Sequence, residues 1–290
     1  MNSLSDLSQS EEYLSFRSVI PLKKIVVDSH SSKGWKIYDA GPKTVKTPLV
    51  CLPPVSGTAD VFYKQLMSLS AKGYRVISAE HPPYWTVKDW CEGFKKLMDH
   101  LGLVKVHIFG ASLGGFLAQK YAEHTYHCPR VASLILCNTY VNTSFFNYGD
   151  SVNIFRIIPS MLLKKMVMGN FSNKLMDKEI ADSVDFMVEK LESLSQQDLA
   201  SRLTINSTPS TVDINKLNGL QITISDVFDD YALSPKHREV MYNFYPQAKL
   251  AHLKSGGNFP YLSRTDEINL HLQIHLRPFL NTSLSALEEL

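Results

Sequence analysis

The residues able to do chemistry fall in three short stretches. The first is Gly110-Ala111-Ser112-Leu113-Gly114, set between the apolar run 105–109 and a segment rich in Ala, Leu and Phe. A Gly-x-Ser-x-Gly stretch between strand and helix holds its serine at the apex of a sharp turn, hydroxyl outward, ready to attack a carbonyl carbon. Gly110 and Gly114 are the outer glycines, at places too crowded for a side chain. The backbone N–H of Leu113, at the start of the helix, is placed to stabilise an oxyanion.

A nucleophilic serine needs a base, and the base needs an orienting acid, in the chain order Ser, acid, His for a strand–turn–helix site. The acid belongs after a late strand, and "ITISDVFDDYALS" supplies it. Asp229 has the expected offset, with Asp226 and Asp230 as competing neighbours, although Asp-rich turns are also common for conformational reasons. The base belongs in "KSGGNFPYL", where the expected histidine is replaced by Asn258. An amide neither takes the serine proton nor returns one to a leaving group at neutral pH. Loss of the base in a serine protease costs about 10⁶ in turnover. Of the ten histidines, His81 in "EHPPYW" and His252 in the last strand are the substitutes to consider, His81 being the better placed.

A second departure lies in "LPPVSG". A flexible His-Gly turn is expected after the strand, to give the second oxyanion N–H, and Pro53-Pro54 stands there instead. Proline fixes φ and removes the N–H. Val55, the usual donor position, keeps its own. Two departures at catalytic places predict a pocket retained and a chemistry lost.

These stretches need elements to position them. "KKIVVD" (23–28) and "KGWKIYDAG" (33–41) read as a β-hairpin, and "TPLVCLPP" (47–54) as a strand buried on both faces. Helical spacing over 60–73 and 89–102 alternates with strand-like runs at 74–80, 105–110 and 131–138, then at 220–229 and 248–255, with a final helix over about 263–279. Alternation of this kind predicts an α/β fold: a mostly parallel central sheet with helices on both faces. Between 140 and about 218 three helical segments follow one another without a strand, which predicts a helical cap inserted over the sheet's C-terminal edge. Residues 1–15, polar and Ser-rich, read as a disordered tail; 16–280 form the domain and 281–290 a C-terminal tail.

Composition narrows the function classes. With 44% hydrophobic and 20% charged residues, the 290-residue chain has an ordinary globular balance. A net charge of +2 without a long basic run argues against a nucleic-acid surface. The N-terminus lacks the pattern of a signal peptide, and no run reaches the roughly 18 apolar residues of a membrane span. Cys51, Cys91, Cys128 and Cys137 form no C-x-x-C pair or His cluster, so buried free thiols are expected, with no metal and no cofactor. A cytosolic chain follows, in which the sequons at Asn142, Asn170, Asn206 and Asn281 are chance matches.

"LPPVSGTADVF", "HIFGASLGGFLAQK", "DFMVEKLESL" and "AHLKSGGNFPYL" resemble the maspardin family of α/β-hydrolase-fold proteins, over about residues 15–280 and including the Pro-Pro and Gly-Gly-Asn features. The resemblance implies an α/β-hydrolase fold with a helical cap, a vestigial set Ser112, Asp229 and Asn258, and a missing histidine that is a family trait. It further implies a cytosolic non-catalytic adaptor, peripherally associated with endosomal and trans-Golgi membranes. The implied partners are the cytoplasmic tail of a T-cell co-receptor of the CD4 type, whose signalling it would restrain, and an aldehyde dehydrogenase-like protein. Two other readings stay open: a slow serine hydrolase using Ser112 with a displaced base, and a pocket that senses a small molecule without turnover.

Overall fold

The computed structural model describes residues 5–27, 34–146, 154–171, 177–229 and 234–288. Among these, strands β1 (Lys23–Val26), β2 (Gly34–Ala40), β3 (Leu49–Leu52), β4 (Val76–Glu80), β5 (Val106–Ala111), β6 (Val131–Cys137), β7 (Gln221–Val227) and β8 (Lys249–Leu253) form one sheet. Their spatial order is β1-β2-β4-β3-β5-β6-β7-β8. β2 pairs antiparallel with β1 and β4, and all remaining pairings are parallel.

Every residue of β3, β4 and β5 is buried, as expected of strands covered on both faces. Alternate residues enter opposite cores. Val106 and Ile108 of β5 join Leu134 and Leu136 of β6 in one core; Phe109 and Ala111 join Ile135 and Cys137 in the other.

Composition misread the N-terminal residues. The serines taken as a sign of disorder are helix caps: Ser5 accepts from the Ser8 N–H and Ser10 from the Tyr13 N–H, each at 3.2 Å, opening α1 (Asp6–Gln9) and α2 (Glu11–Val19). Tyr13 and Phe16 are buried beneath them. The Tyr13 hydroxyl donates to Asp60 and accepts from Lys190 Nζ at 3.0 Å, so the segment is tied to both the sheet domain and the cap.

Helices α3 (Tyr63–Ser70), α4 (Val87–His100) and α5 (Leu113–His124) alternate with the strands. Between β6 and β7 come α6 (Ser160–Met168), α7 (Lys178–Ser193) and α8 (Gln196–Ser207), without an intervening strand. They share a small core of their own, with Leu163, Leu191, Leu199 and Leu203. The chain continues through α9 (Pro235–Phe244), which sequence reading did not identify, then α10 (Pro260–Ser263) and α11 (Thr265–Leu276). The C-terminal segment lies against the strand starts: the Arg75 N–H donates to the Ala286 carbonyl at 3.0 Å, and Ala286 is buried. Cys51, Cys91 and Cys137 are buried free thiols; Cys128 is exposed, contrary to expectation, because it follows the end of α5 where the chain reaches the surface.

Candidate functional site

The β5–α5 turn is as tight as its glycines suggest. Ser112 sits at φ 49° and ψ −116°, a conformation that side chains rarely adopt and that costs on the order of 1–3 kcal/mol. The surroundings over-determine it. The Ser112 N–H donates to the Cys137 carbonyl at 3.0 Å, and Thr139 Oγ1 donates to the Ser112 carbonyl at 2.6 Å. A Cβ on Gly110 would lie 2.5 Å from Gly115 Cα, and one on Gly114 would lie 2.2 Å from the Leu52 carbonyl oxygen. Both contacts are with backbone that has nowhere to go. Leu113 is the first residue of α5, so its N–H has no acceptor within the helix.

The Pro-Pro stretch forms a closed turn, in which the Gly57 N–H donates to the Pro54 carbonyl at 3.0 Å. Arg202 of the cap helix α8 clamps it, its Nη1 donating to the Val55 carbonyl at 3.0 Å and the Gly57 carbonyl at 2.7 Å. The guanidinium is 1% exposed and lies 3.6 Å from Glu80, which also takes Lys36 Nζ at 2.9 Å. Arg202 is therefore a positioning residue that sequence reading missed.

Asp229 follows β7 as expected, and its carboxylate holds the backbone of the next loop. It accepts from the Gly256 N–H at 2.8 Å and the Gly257 N–H at 3.0 Å. Asn258 is the next residue and points its surface into the cavity at Ser112. Of the competing acids, Asp226 is buried, accepts from the Tyr242 hydroxyl at 2.9 Å and is pushed up to about 6 by burial. Asp230 lies outside the described residues.

Neither substitute histidine joins the serine. His81 is buried, bonds the Pro82 carbonyl through Nδ1 at 2.8 Å and lies about 6 Å, ring to ring, from Trp35 and Trp90. It faces a separate cavity with Lys36, Glu80 and Asp198, and burial beside Arg202 lowers its pKa to about 3. A ring so enclosed takes up a proton only with difficulty. His252, within β8, packs against Phe228 and Tyr242.

The cavity at Ser112 has a volume of about 90 Å³. Its polar lining consists of Ser56, Ser112, Asn138, Asn170, Asn206 and Asn258, and its remaining wall is Pro, Ala, Val, Leu, Met and Phe. Among the described residues, no acid, base, thiol or phenol lines it. Val55 and Asn258 were expected there; Asn138, Asn170 and Asn206 were not. Asn138 carried one readable signal, an Asn ending a buried strand, and it adopts φ 44°. Among the described residues no group of three or more His, Cys, Asp or Glu is placed to hold a metal ion, and no helix is long and apolar enough to cross a membrane.

Comparison with known proteins fits this architecture. Residues 47–223 match the family described as alpha/beta hydrolase fold. Maspardin of Danio rerio is 54% identical over 98% of this chain and 91% of its own length. Maspardin of Homo sapiens is 53% identical over 98% and 92%. Among solved structures, a thermophilic esterase from Thermogutta terrifontis superposes with a TM-score of 0.73 at 16% identity, covering 89% of this chain and 98% of its own. A bromoperoxidase from Bacillus anthracis gives 0.70 at 17%, covering 89% and 100%. Those two likenesses speak to the fold. The chain belongs to the maspardin family of α/β-hydrolase-fold proteins.

Proposed function

We propose that this chain works by binding, as a non-catalytic hydrolase-fold adaptor. The observation that carries the reading is the cavity at Ser112: among the described residues its lining holds no group that exchanges a proton near neutrality. Asp229, the residue that would orient a base, instead holds the Gly256 and Gly257 amides. Resemblance to the family extends the reading to partners: the cytoplasmic tail of a T-cell co-receptor, an aldehyde dehydrogenase-like protein, and peripheral association with endosomal and trans-Golgi membranes.

A second reading, a slow serine hydrolase, is favoured by the strained Ser112 backbone, which such an enzyme would need. Turnover of p-nitrophenyl butyrate separates the two. A binding protein gives equal rates for wild type and Ser112→Ala. A rate that falls at least tenfold in Ser112→Ala overturns the proposal.

A further inference from the structure

Helix α1 packs on the cap helix α7 and is fastened there by one carboxylate. Glu189 Oε2 accepts from the Ser5 N–H at 3.1 Å, from Ser5 Oγ at 3.0 Å and from Ser8 Oγ. Ser5 and Ser8 are 8% and 7% exposed, and their hydroxyl oxygens lie 2.7 Å apart. The other Glu189 oxygen takes Lys190 Nζ at 3.1 Å. That ammonium is shared with Asp60 at 3.4 Å and the Tyr13 hydroxyl at 3.0 Å, so it is already committed. Asp6 of α1 also faces the negative field of Asp182 and Asp185 on α7. The latch is therefore filled, and its surroundings are acidic.

Ser8 carries a charge pattern of its own. In Ser8-Gln9-Ser10-Glu11-Glu12 two exposed carboxylates stand three and four residues after it; the third residue after Ser5 is Ser8, and after Ser10 it is Tyr13. A kinase with a basic substrate groove selects a serine by such a pattern. We propose that Ser8 is a phosphorylation site and that its phosphate releases α1 from the cap. In the transfer, Ser8 Oγ attacks the γ-phosphorus of ATP, the bond to the ADP oxygen breaks, and the hydroxyl proton passes to the kinase. A helix of four residues does not persist undocked, so α1 opens locally far more readily than the sheet and presents its serine. Once added, the dianion takes away the Ser8 donor and sets like charge against Glu189, so α1 does not re-dock. This switch leaves Ser112 untouched and goes beyond the binding reading.

The test treats the purified full chain with casein kinase II and ATP, maps the phosphate by mass spectrometry and measures amide hydrogen exchange. Phosphate is expected on Ser8 and absent from Ser8→Ala. Exchange over residues 5–20 should then quicken at least tenfold, while that of β5 stays unchanged. Glu189→Lys should reverse the sign, phosphorylation slowing exchange by pairing the two groups. Glu189→Gln, which keeps an acceptor without the charge, should hold the quickening below threefold. No phosphate at Ser8, phosphate there without faster exchange, or the full wild-type response in either Glu189 variant would each overturn the inference.

Discussion

Strand β5 joins two sites that use the same kinds of residue to opposite ends. At its start, His107 Nδ1 lies 2.7 Å from Ser133 Oγ, Ser133 Oγ lies 2.7 Å from His275 Nε2, and His275 Nδ1 lies 2.7 Å from Thr223 Oγ1. His107 Nε2 completes the row on the Leu284 carbonyl, at 2.7 Å. That carbonyl can only accept, so every proton in the row is assigned: His107 donates to Leu284, Ser133 to His107, His275 to Ser133 and Thr223 to His275. Just past the strand's other end, Ser112 faces a cavity with no imidazole among the described residues that line it. A serine touching histidine is thus structural here, buried and fully satisfied, whereas the serine placed for attack meets no base among the described residues that line its cavity. Contact between residue types does not make a catalytic site; access and an unfilled role do.

Breaking the buried row gives the largest expected effect. Ser133→Ala leaves a nitrogen of His107 and one of His275 without a partner, at about 1–3 kcal/mol for each such group. Urea unfolding should therefore report a loss of about 2–6 kcal/mol. A loss below about 0.5 kcal/mol would mean that the row does not hold the strand starts together.

Acid attacks the same row. Burial lowers His107 to about 4, and burial with the nearby His107 and Lys249 lowers His275 to about 3, against 6.5 in an exposed histidine. Between those values the unfolded chain binds more protons, so stability is full above about pH 6.5 and declines as pH falls toward 4, by up to about 1.4 kcal/mol per unit for each histidine. Asp226, raised to about 6, works in the opposite sense over pH 4–6 but is a single group. His275→Phe should flatten the acid limb in urea titrations at pH 7, 6, 5 and 4; an unchanged slope would remove His275 from this account.

At the serine end the effects are smaller. Ser112→Gly relieves a φ of 49° and should raise stability by about 1 kcal/mol; a loss of stability would mean that the hydroxyl holds the turn. Asn258→His is expected to change ester turnover less than about tenfold. The new imidazole would meet an Asp229 already engaged with two amides and an oxyanion turn closed by Pro53-Pro54. A rise of 10³ or more would make Asn258 the single block.

The legible parts of the molecule were those written locally. Gly110, Ser112 and Gly114 announce their turn because neighbouring backbone dictates it, and Asn258 stands out because the strand and helix around it fix its place. Long-range docking left no such trace. Arg202 reaches Val55 across 147 residues of sequence, and nothing in "ASRL" distinguishes it from a surface arginine. Asn206 is part of a helix whose cavity-facing side depends on how the cap sits. His81 was misjudged for the related reason that strand position gives its depth along the sheet but not its ring direction, which Trp35 and Trp90 set. The N-terminal serines were misjudged because composition does not separate a cap from a coil, although Ser10 ahead of Glu11 and Glu12, with Tyr13 and Phe16 three apart, was a readable helix start.

The most direct test is labelling of the purified chain with a fluorophosphonate probe, read by mass spectrometry at Ser112, for wild type and Ser112→Ala. An elbow without a base should leave wild type as unlabelled as Ser112→Ala. Stoichiometric modification of Ser112 in wild type would contradict the account, because it would require a base that the described lining of the cavity does not hold.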